Sequence, residues 1–177
     1  MKQIISILCM LPFMASAQVV KLEGAKVHQY KQVGETILFL HVYNPDGHKD
    51  SDQKPAIVFF FGGGWNGGTP KQFEPHCQYL SQRGMVAITA EYRVKSRNKT
   101  TPFECVKDGK SAIRWVRANA NILGVDPSRI AAGGGSAGGV AVVPGTEQNL
   151  LISISGVIQE PGVAYTLTGT SQITFTG

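Results

Sequence analysis

The run Pro55-Ala56-Ile57-Val58-Phe59-Phe60-Phe61 is the feature that most restricts the fold. It is apolar without alternation, the pattern of a strand covered on both faces in a parallel sheet. Two further runs share this character. Met85 to Ala90 reads as a buried strand closed by Glu91-Tyr92-Arg93-Val94, and Arg129-Ile130-Ala131-Ala132 runs into Gly133 to Gly139. Helical stretches separate them. Thr69-Pro70-Lys71-Gln72 combines a Thr cap, a first-turn proline and a glutamine at the capping-box position, and opens a helix that carries Phe73, Cys77 and Leu80 to Gly84. Thr101-Pro102-Phe103-Glu104 repeats the box and predicts a helix with Val106, Gly109, Ile113, Val116 and Ala120 on one face, ended by Gly124. Asp126-Pro127-Ser128 then makes a turn. Upstream, Thr36 to Tyr43 is a strand stopped by Asn44-Pro45-Asp46-Gly47, and Val27 to Gln32 pairs with it as an N-terminal antiparallel hairpin. Strands alternating with helical crossovers specify an α/β class with a parallel sheet and flanking helices.

Composition narrows the setting. A chain of 177 residues with 42% hydrophobic content fits a single globular domain. The net charge of +5 gathers partly in Arg93-Val94-Lys95-Ser96-Arg97-Asn98-Lys99. No aromatic residue is interleaved there, so it reads as a solvated loop and no nucleic-acid partner is expected. Residues 1–17 read as a signal peptide: Lys2, an apolar Ile4 to Met14, then Ala15-Ser16-Ala17 as the cleavage site. The expected mature chain starts at Gln18 and is secreted or periplasmic. The apolar run is shorter than the roughly 20 residues of a spanning helix, so no stable membrane anchor is expected after cleavage. Of the three cysteines, Cys9 lies in the signal. Cys77 and Cys105 are either a disulfide or two buried thiols. No His/Cys cluster has metal-ligand spacing, so no metal is expected.

The glycine-rich loops carry the chemistry. Gly134-Gly135-Ser136-Ala137-Gly138 is a G-x-S-x-G pattern after a strand, which is how a nucleophile elbow is written. Its flanking glycines, Gly134 and Gly138, suit a turn too tight for a Cβ. Ser136 is the candidate nucleophile. Gly62-Gly63-Gly64 also follows a buried strand, so both loops belong at the carboxyl edge of the sheet, where such folds place ligands. Acyl transfer needs donors aimed at a developing oxyanion, and the backbone N–H groups of Gly63, Gly64 and Ala137 are the candidates. The competing readings are a flexible glycine loop at 133–139 and a phosphate-binding turn at 62–64. The second lacks the lysine of a P-loop and the spacing of a dinucleotide fingerprint.

Phe59 to Trp65, Glu91 to Val94, Asp108 to Arg117, Gly124 to Ile130 and the elbow, taken in this order, resemble an α/β-hydrolase. The chain is similar to the secreted esterase/lipase branch near hormone-sensitive lipase and the bacterial feruloyl and acetyl-xylan esterases. The resemblance covers about residues 25–139. It implies hydrolysis of small-molecule or carbohydrate carboxylic esters without metal or cofactor, with Ser136 as nucleophile and Gly63, Gly64 and Ala137 as oxyanion hole. Many relatives carry histidine where this chain has Phe61, a position that supports the loop. The family also places a triad acid and a histidine after the serine. None of the 41 residues after Ser136 is a histidine; His28, His41, His48 and His76 all precede it, and each reads as a surface or packing residue. Glu147 and Glu160 are the only acids after it. The expectation is an N-terminal half of an α/β-hydrolase sheet over 18–143 with impaired or no activity.

Pro144-Gly145 stops the helix after the elbow, and a β-rich segment over 144–177 follows. Leu150 to Ile158 reads as a strand, Gln159-Glu160-Pro161-Gly162 as a turn, and Ala164 to Thr168 and Gln172 to Thr176 as strands. This segment resembles an incomplete β repeat of bacteriophage tail-fibre proteins. The alternatives weighed beside it are a divergent strand pair completing the hydrolase sheet, and, for the whole chain, a non-catalytic fusion or assembly chimera with a virion-type module or a ligand-binding protein without turnover.

Overall fold

A computed structural model describes residues 20–140, side chains included as far as Gly139, and the backbone of 150–154, 157–159, 165–168 and 172–175. The expected signal peptide, the Pro144 helix stop, Glu147 and the residues 160–162 of the expected turn lie outside the described residues.

A seven-stranded mixed sheet organises the molecule. β1 (Lys26–Val33) and β2 (Thr36–Tyr43) form the antiparallel hairpin. β2 lies antiparallel to β4 (Val86–Ala90), which runs parallel to β3 (Lys54–Phe60). β3 is parallel to β5 (Val125–Gly134). β6 (Leu150–Ile154) pairs in parallel with β5 through Ala132 with Leu150 and Gly133 with Leu151. β7 (Val157–Gln159) closes the order β1-β2-β4-β3-β5-β6-β7. β8 (Tyr165–Thr168) and β9 (Gln172–Phe175) are a separate antiparallel pair. The run read as one strand from Leu150 to Ile158 is two antiparallel strands, with Ile154 opposite Val157. Only Ser155-Gly156 lies between them in sequence, a length and composition that favour a two-residue hairpin over continued extension.

The parallel strands at the centre are buried throughout, from Ala56 to Phe60 in β3 and along the whole of β4. Chain order explains this. The β3-to-β4 and β4-to-β5 crossovers run in opposite directions along the sheet, and right-handed crossovers then lay their helices on opposite faces. A 3-10 turn at Pro70–Phe73 leads into α1 (Glu74–Ser81), which packs on β4. A single turn, α2 (Lys95–Asn98), follows β4; α3 (Pro102–Ala118) packs on β1 and β5; and α4 (Ala137–Val140) begins just after the elbow. Phe59 stacks on Phe73 with centroids 4.8 Å apart, while the next residue, Phe60, tilts against Tyr92 at 6.5 Å. Alternate side chains of one strand thus serve both layers.

Two helix starts behave differently. At Thr101, the Glu104 carboxylate accepts the Thr101 N–H at 2.9 Å, the glutamate's bond of the capping box, and also accepts the Thr101 hydroxyl. At Thr69 no side-chain cap forms, and Gln72 turns elsewhere. The buried face of α3 keeps Gly109 and Val116 of the expected one, with Ala120 buried just beyond the helix, and differs in the rest. It is Cys105, Asp108, Gly109, Ala112 and Val116, with Val106 and Ile113 at its margin. A buried aspartate was not legible from periodicity. Asp108 is fully buried and accepts from Arg93 Nε at 2.7 Å and Nη2 at 2.9 Å, and from Lys31 Nζ at 2.7 Å. The Arg93 backbone N–H adds a bond at 3.2 Å. A bulge at Tyr30 in β1 accompanies this: its hydroxyl donates to the Glu91 carbonyl at 2.6 Å while Lys31 reaches Asp108.

Cys77 and Cys105 are free and buried, so the open choice resolves to two thiols. Burial raises both thiol pKa values, which keeps them protonated and unreactive. The turn at Asp126-Pro127-Ser128 sits inside β5 as a register shift between Val125 and Ile130. Ser128 and Arg129 hydrogen bonds hold the Asp126 carboxyl down at about 2. No helix among the described residues is long and apolar enough to cross a membrane.

Removing one partner of a buried ion pair leaves the others desolvated and uncompensated. Asp108→Ala is expected to lose about 3–5 kcal/mol of stability in urea denaturation, since it strands both Arg93 and Lys31.

Candidate active site

β3 and β5 run side by side, and each ends in its glycine-rich loop. The two loops meet there. Ser136 is exposed, with φ +51° in the left-handed region that a residue with a Cβ rarely adopts. The turn closes through Gly138 N–H to Gly135 O at 2.9 Å and Gly139 N–H to Ser136 O at 3.0 Å. Gly135 N–H donates to Phe60 O at 3.2 Å, tying the elbow to β3.

The glycines are steric requirements here. A Cβ at Gly134 would lie 2.6 Å from the Gly138 carbonyl carbon, and one at Gly138 would overlap the Phe60 and Phe61 carbonyl oxygens. On the facing loop, a Cβ at Gly62 would lie 2.8 Å from Gly135 O and 3.3 Å from Ser136 Cβ. Gly62 is therefore the point at which the loop touches the elbow. Gly63 and Gly64 follow it, exposed, at φ +138° and +60°, and Ala137 is buried at the start of α4. The structure thus brings Gly134, Ser136, Ala137 and Gly138 into one turn, with Gly62-Gly63-Gly64 beside it.

Several side chains and one short helix hold the 62–68 loop. The Tyr92 hydroxyl donates to Phe61 O at 2.6 Å, and its ring stacks on Phe61 at 4.1 Å and 16°. Burial pushes the Tyr92 phenol well above its ordinary pKa, so it remains a donor. Arg97 Nη1 donates to Gly68 O at 2.8 Å, and the Lys95 and Ser96 N–H groups donate to Trp65 O and Asn66 O at 2.9 and 3.0 Å. Gln72 Oε1 accepts the Gly62 N–H at 2.5 Å. Tyr92 and Arg97 lie within stretches already singled out in the sequence. Gln72 was missed because its spacing from Thr69 matches a capping box.

None of the four histidines reaches the elbow by any described hydrogen bond. His41 is fully buried with Nε2 3.2 Å from Glu91 Oε1, and His48 Nε2 lies 2.9 Å from Leu123 O. His28 tilts against Trp115 at 5.7 Å. His76 packs on Phe73 at 5.2 Å and Phe59 at 6.0 Å. Among the described residues no group of three or more His, Cys, Asp or Glu could hold a metal ion.

Residues 40–160 match the model of the BD-FAE family. The chain belongs to that family. An esterase from the Planctomycetes species Thermogutta terrifontis, solved with propionate bound, is 55% identical with a TM-score of 0.67 over 67% of this chain and 44% of that one. The form phosphorylated by paraoxon is 51% identical with a TM-score of 0.68, over 70% of this chain and 50% of that one. Carboxylesterase NlhH of Mycobacterium tuberculosis is 34% identical over 108 residues, which are 60% of this chain and 32% of that protein. The fold of this BD-FAE member is that of an α/β-hydrolase esterase, and it is carboxylesterase-like. The chain spans about a third of that curated relative's length and under half of the propionate-bound esterase.

A serine held in the left-handed region stores strain that glycine would not. Ser136→Gly is expected to gain about 1 kcal/mol in urea denaturation while Ser136→Ala gains none, because alanine keeps the Cβ. Equal stabilities for the two variants would show that the turn is unstrained.

Proposed function

We propose that this chain supplies the nucleophile side of a carboxylic-ester hydrolase acting on small-molecule or carbohydrate esters. Ser136 Oγ attacks the ester carbonyl carbon, and the carbonyl oxygen takes up charge beside the N–H groups of Gly63, Gly64 and Ala137. The C–O bond to the alcohol breaks and the alcohol leaves with the proton that Ser136 Oγ has lost; water then attacks the acyl-serine, its OH joining the acid and its proton returning to Ser136 Oγ. The observation that carries this reading is Ser136 at φ +51°, in a strand-to-helix turn that touches the Gly62 loop. The propionate of the Thermogutta terrifontis complex and the name of NlhH support a carboxylic ester as substrate.

Proton traffic is the weak point. A serine hydroxyl near neutral pH needs a base to become a competent nucleophile. Within these 177 residues every histidine precedes Ser136, and those four are engaged in the contacts described above. We therefore infer impaired turnover by these residues alone, with binding and oxyanion donors left to act on their own.

The test is labelling by a fluorophosphonate together with p-nitrophenyl acetate hydrolysis. Labelling is expected at Ser136, slow, and lost in Ser136→Ala. Hydrolysis is expected about 10²–10⁴-fold below that of the Thermogutta terrifontis esterase, and to rise when imidazole is added as an external base. No labelling of Ser136 even with imidazole would contradict the proposal.

A further inference from the structure

We propose that Gln72 is a positioning residue for the ester reaction, setting the distance between the oxyanion donors and Ser136. This rests on the hydrolase reading above. Gln72 stands at the foot of the helix that follows the oxyanion loop, where an exposed side chain is free to cap its own helix. It does not. Its Oε1 reaches ten residues back and accepts the Gly62 N–H at 2.5 Å.

The choice of partner matters because Gly62 is where the two loops touch. A Cβ there would lie 2.8 Å from Gly135 O and 3.3 Å from Ser136 Cβ. Gln72 Oε1 is also 3.9 Å from where a Cβ of Gly135 would stand, so one amide lies against the residue before the nucleophile while bonding the residue before the donors. Gln72 thus satisfies the buried N–H end of the Phe61–Gly62 peptide unit, whose carbonyl end is held by Tyr92. The N–H groups of Gly63 and Gly64 donate in none of the described hydrogen bonds, which leaves them for the oxyanion. Tyr92 on the Phe61 carbonyl fixes the loop from the strand side, and Arg97 on the Gly68 carbonyl fixes its far end. Arg97 does not reach the glycine that abuts Ser136, and Tyr92 holds only the carbonyl end of its peptide unit, on the side away from the N–H that Gln72 accepts. Preorganised donors are effective only when aimed at the oxygen's position in the transition state, so a loop free to shift loses part of its effect.

The experiment follows the second-order rate of Ser136 labelling by a fluorophosphonate in the full chain, with and without imidazole, alongside thermal melts. Gln72→Met keeps the bulk and removes the carbonyl. It is expected to slow labelling about tenfold, as a fraction of the 10²–10³ that a lost oxyanion donor costs, and to lower the melting temperature only modestly, because one buried N–H loses its acceptor while the fold is kept. Gln72→Glu keeps an acceptor but places a titratable group beside the developing charge. Its rate relative to wild type is expected to fall as pH rises through the carboxyl's titration, a dependence that a merely structural residue would not create. A wild-type rate in Gln72→Met, or a pH-independent ratio in Gln72→Glu, would overturn the role of Gln72 while leaving the hydrolase reading intact. Failure of the wild-type chain to label at all would overturn both.

Discussion

The structure depends on backbone meeting backbone where β3 and β5 end. Gly138 lies against the Phe60 and Phe61 carbonyls, Gly134 against Gly138, and Gly62 against Gly135. No side chain fits in any of these contacts. This close approach forces Ser136 into its left-handed conformation and leaves it exposed at the sheet edge. Everything around it serves to hold that approach: the buried central strands, the Phe61–Tyr92 stack, and the α2 bonds to the 62–68 loop.

A second constraint acts at a distance. Asp108 brings the start of α3, the segment after β4 and the edge strand β1 to one carboxylate through Arg93 and Lys31. The same segment supplies Tyr92 and leads into α2. The ion cluster therefore fixes the loop that in turn fixes the glycines, although none of its members lies at the elbow. Charge burial of this kind is sustained because Arg93 spans both carboxylate oxygens and Lys31 adds a second cation at Oδ1.

Local rules made much of this legible in the sequence. Continuous apolar runs marked the central strands, and G-x-S-x-G marked the elbow because glycine there is a steric necessity. Rules that count spacing failed where tertiary contacts competed. Thr69 and Gln72 have the spacing of a capping box, yet the amide bonds Gly62; Thr101 and Glu104 have the same spacing and do form the box. Apolar periodicity placed Gly109, Val116 and Ala120 correctly on the buried face of α3 but took Val106 and Ile113 in place of Cys105 and Ala112 and passed over Asp108, whose partners are remote in sequence. In Leu150 to Ile158 the Ser155-Gly156 signal was passed over because apolar residues continue on both sides of it, so the reversal between Ile154 and Val157 went unread.

Chemically, the described residues bring Ser136 and Ala137 beside the Gly62-Gly63-Gly64 loop at the sheet edge, the arrangement on which the proposed acyl transfer rests, while the histidines are engaged elsewhere. The most direct test of this account is a crystal structure of the chain after reaction with a phosphonate. The account predicts phosphorus bonded to Ser136 Oγ, with the phosphoryl oxygen within hydrogen-bond distance of the Gly63, Gly64 and Ala137 nitrogens. A phosphoryl oxygen turned to solvent, with those N–H groups unengaged, would contradict it.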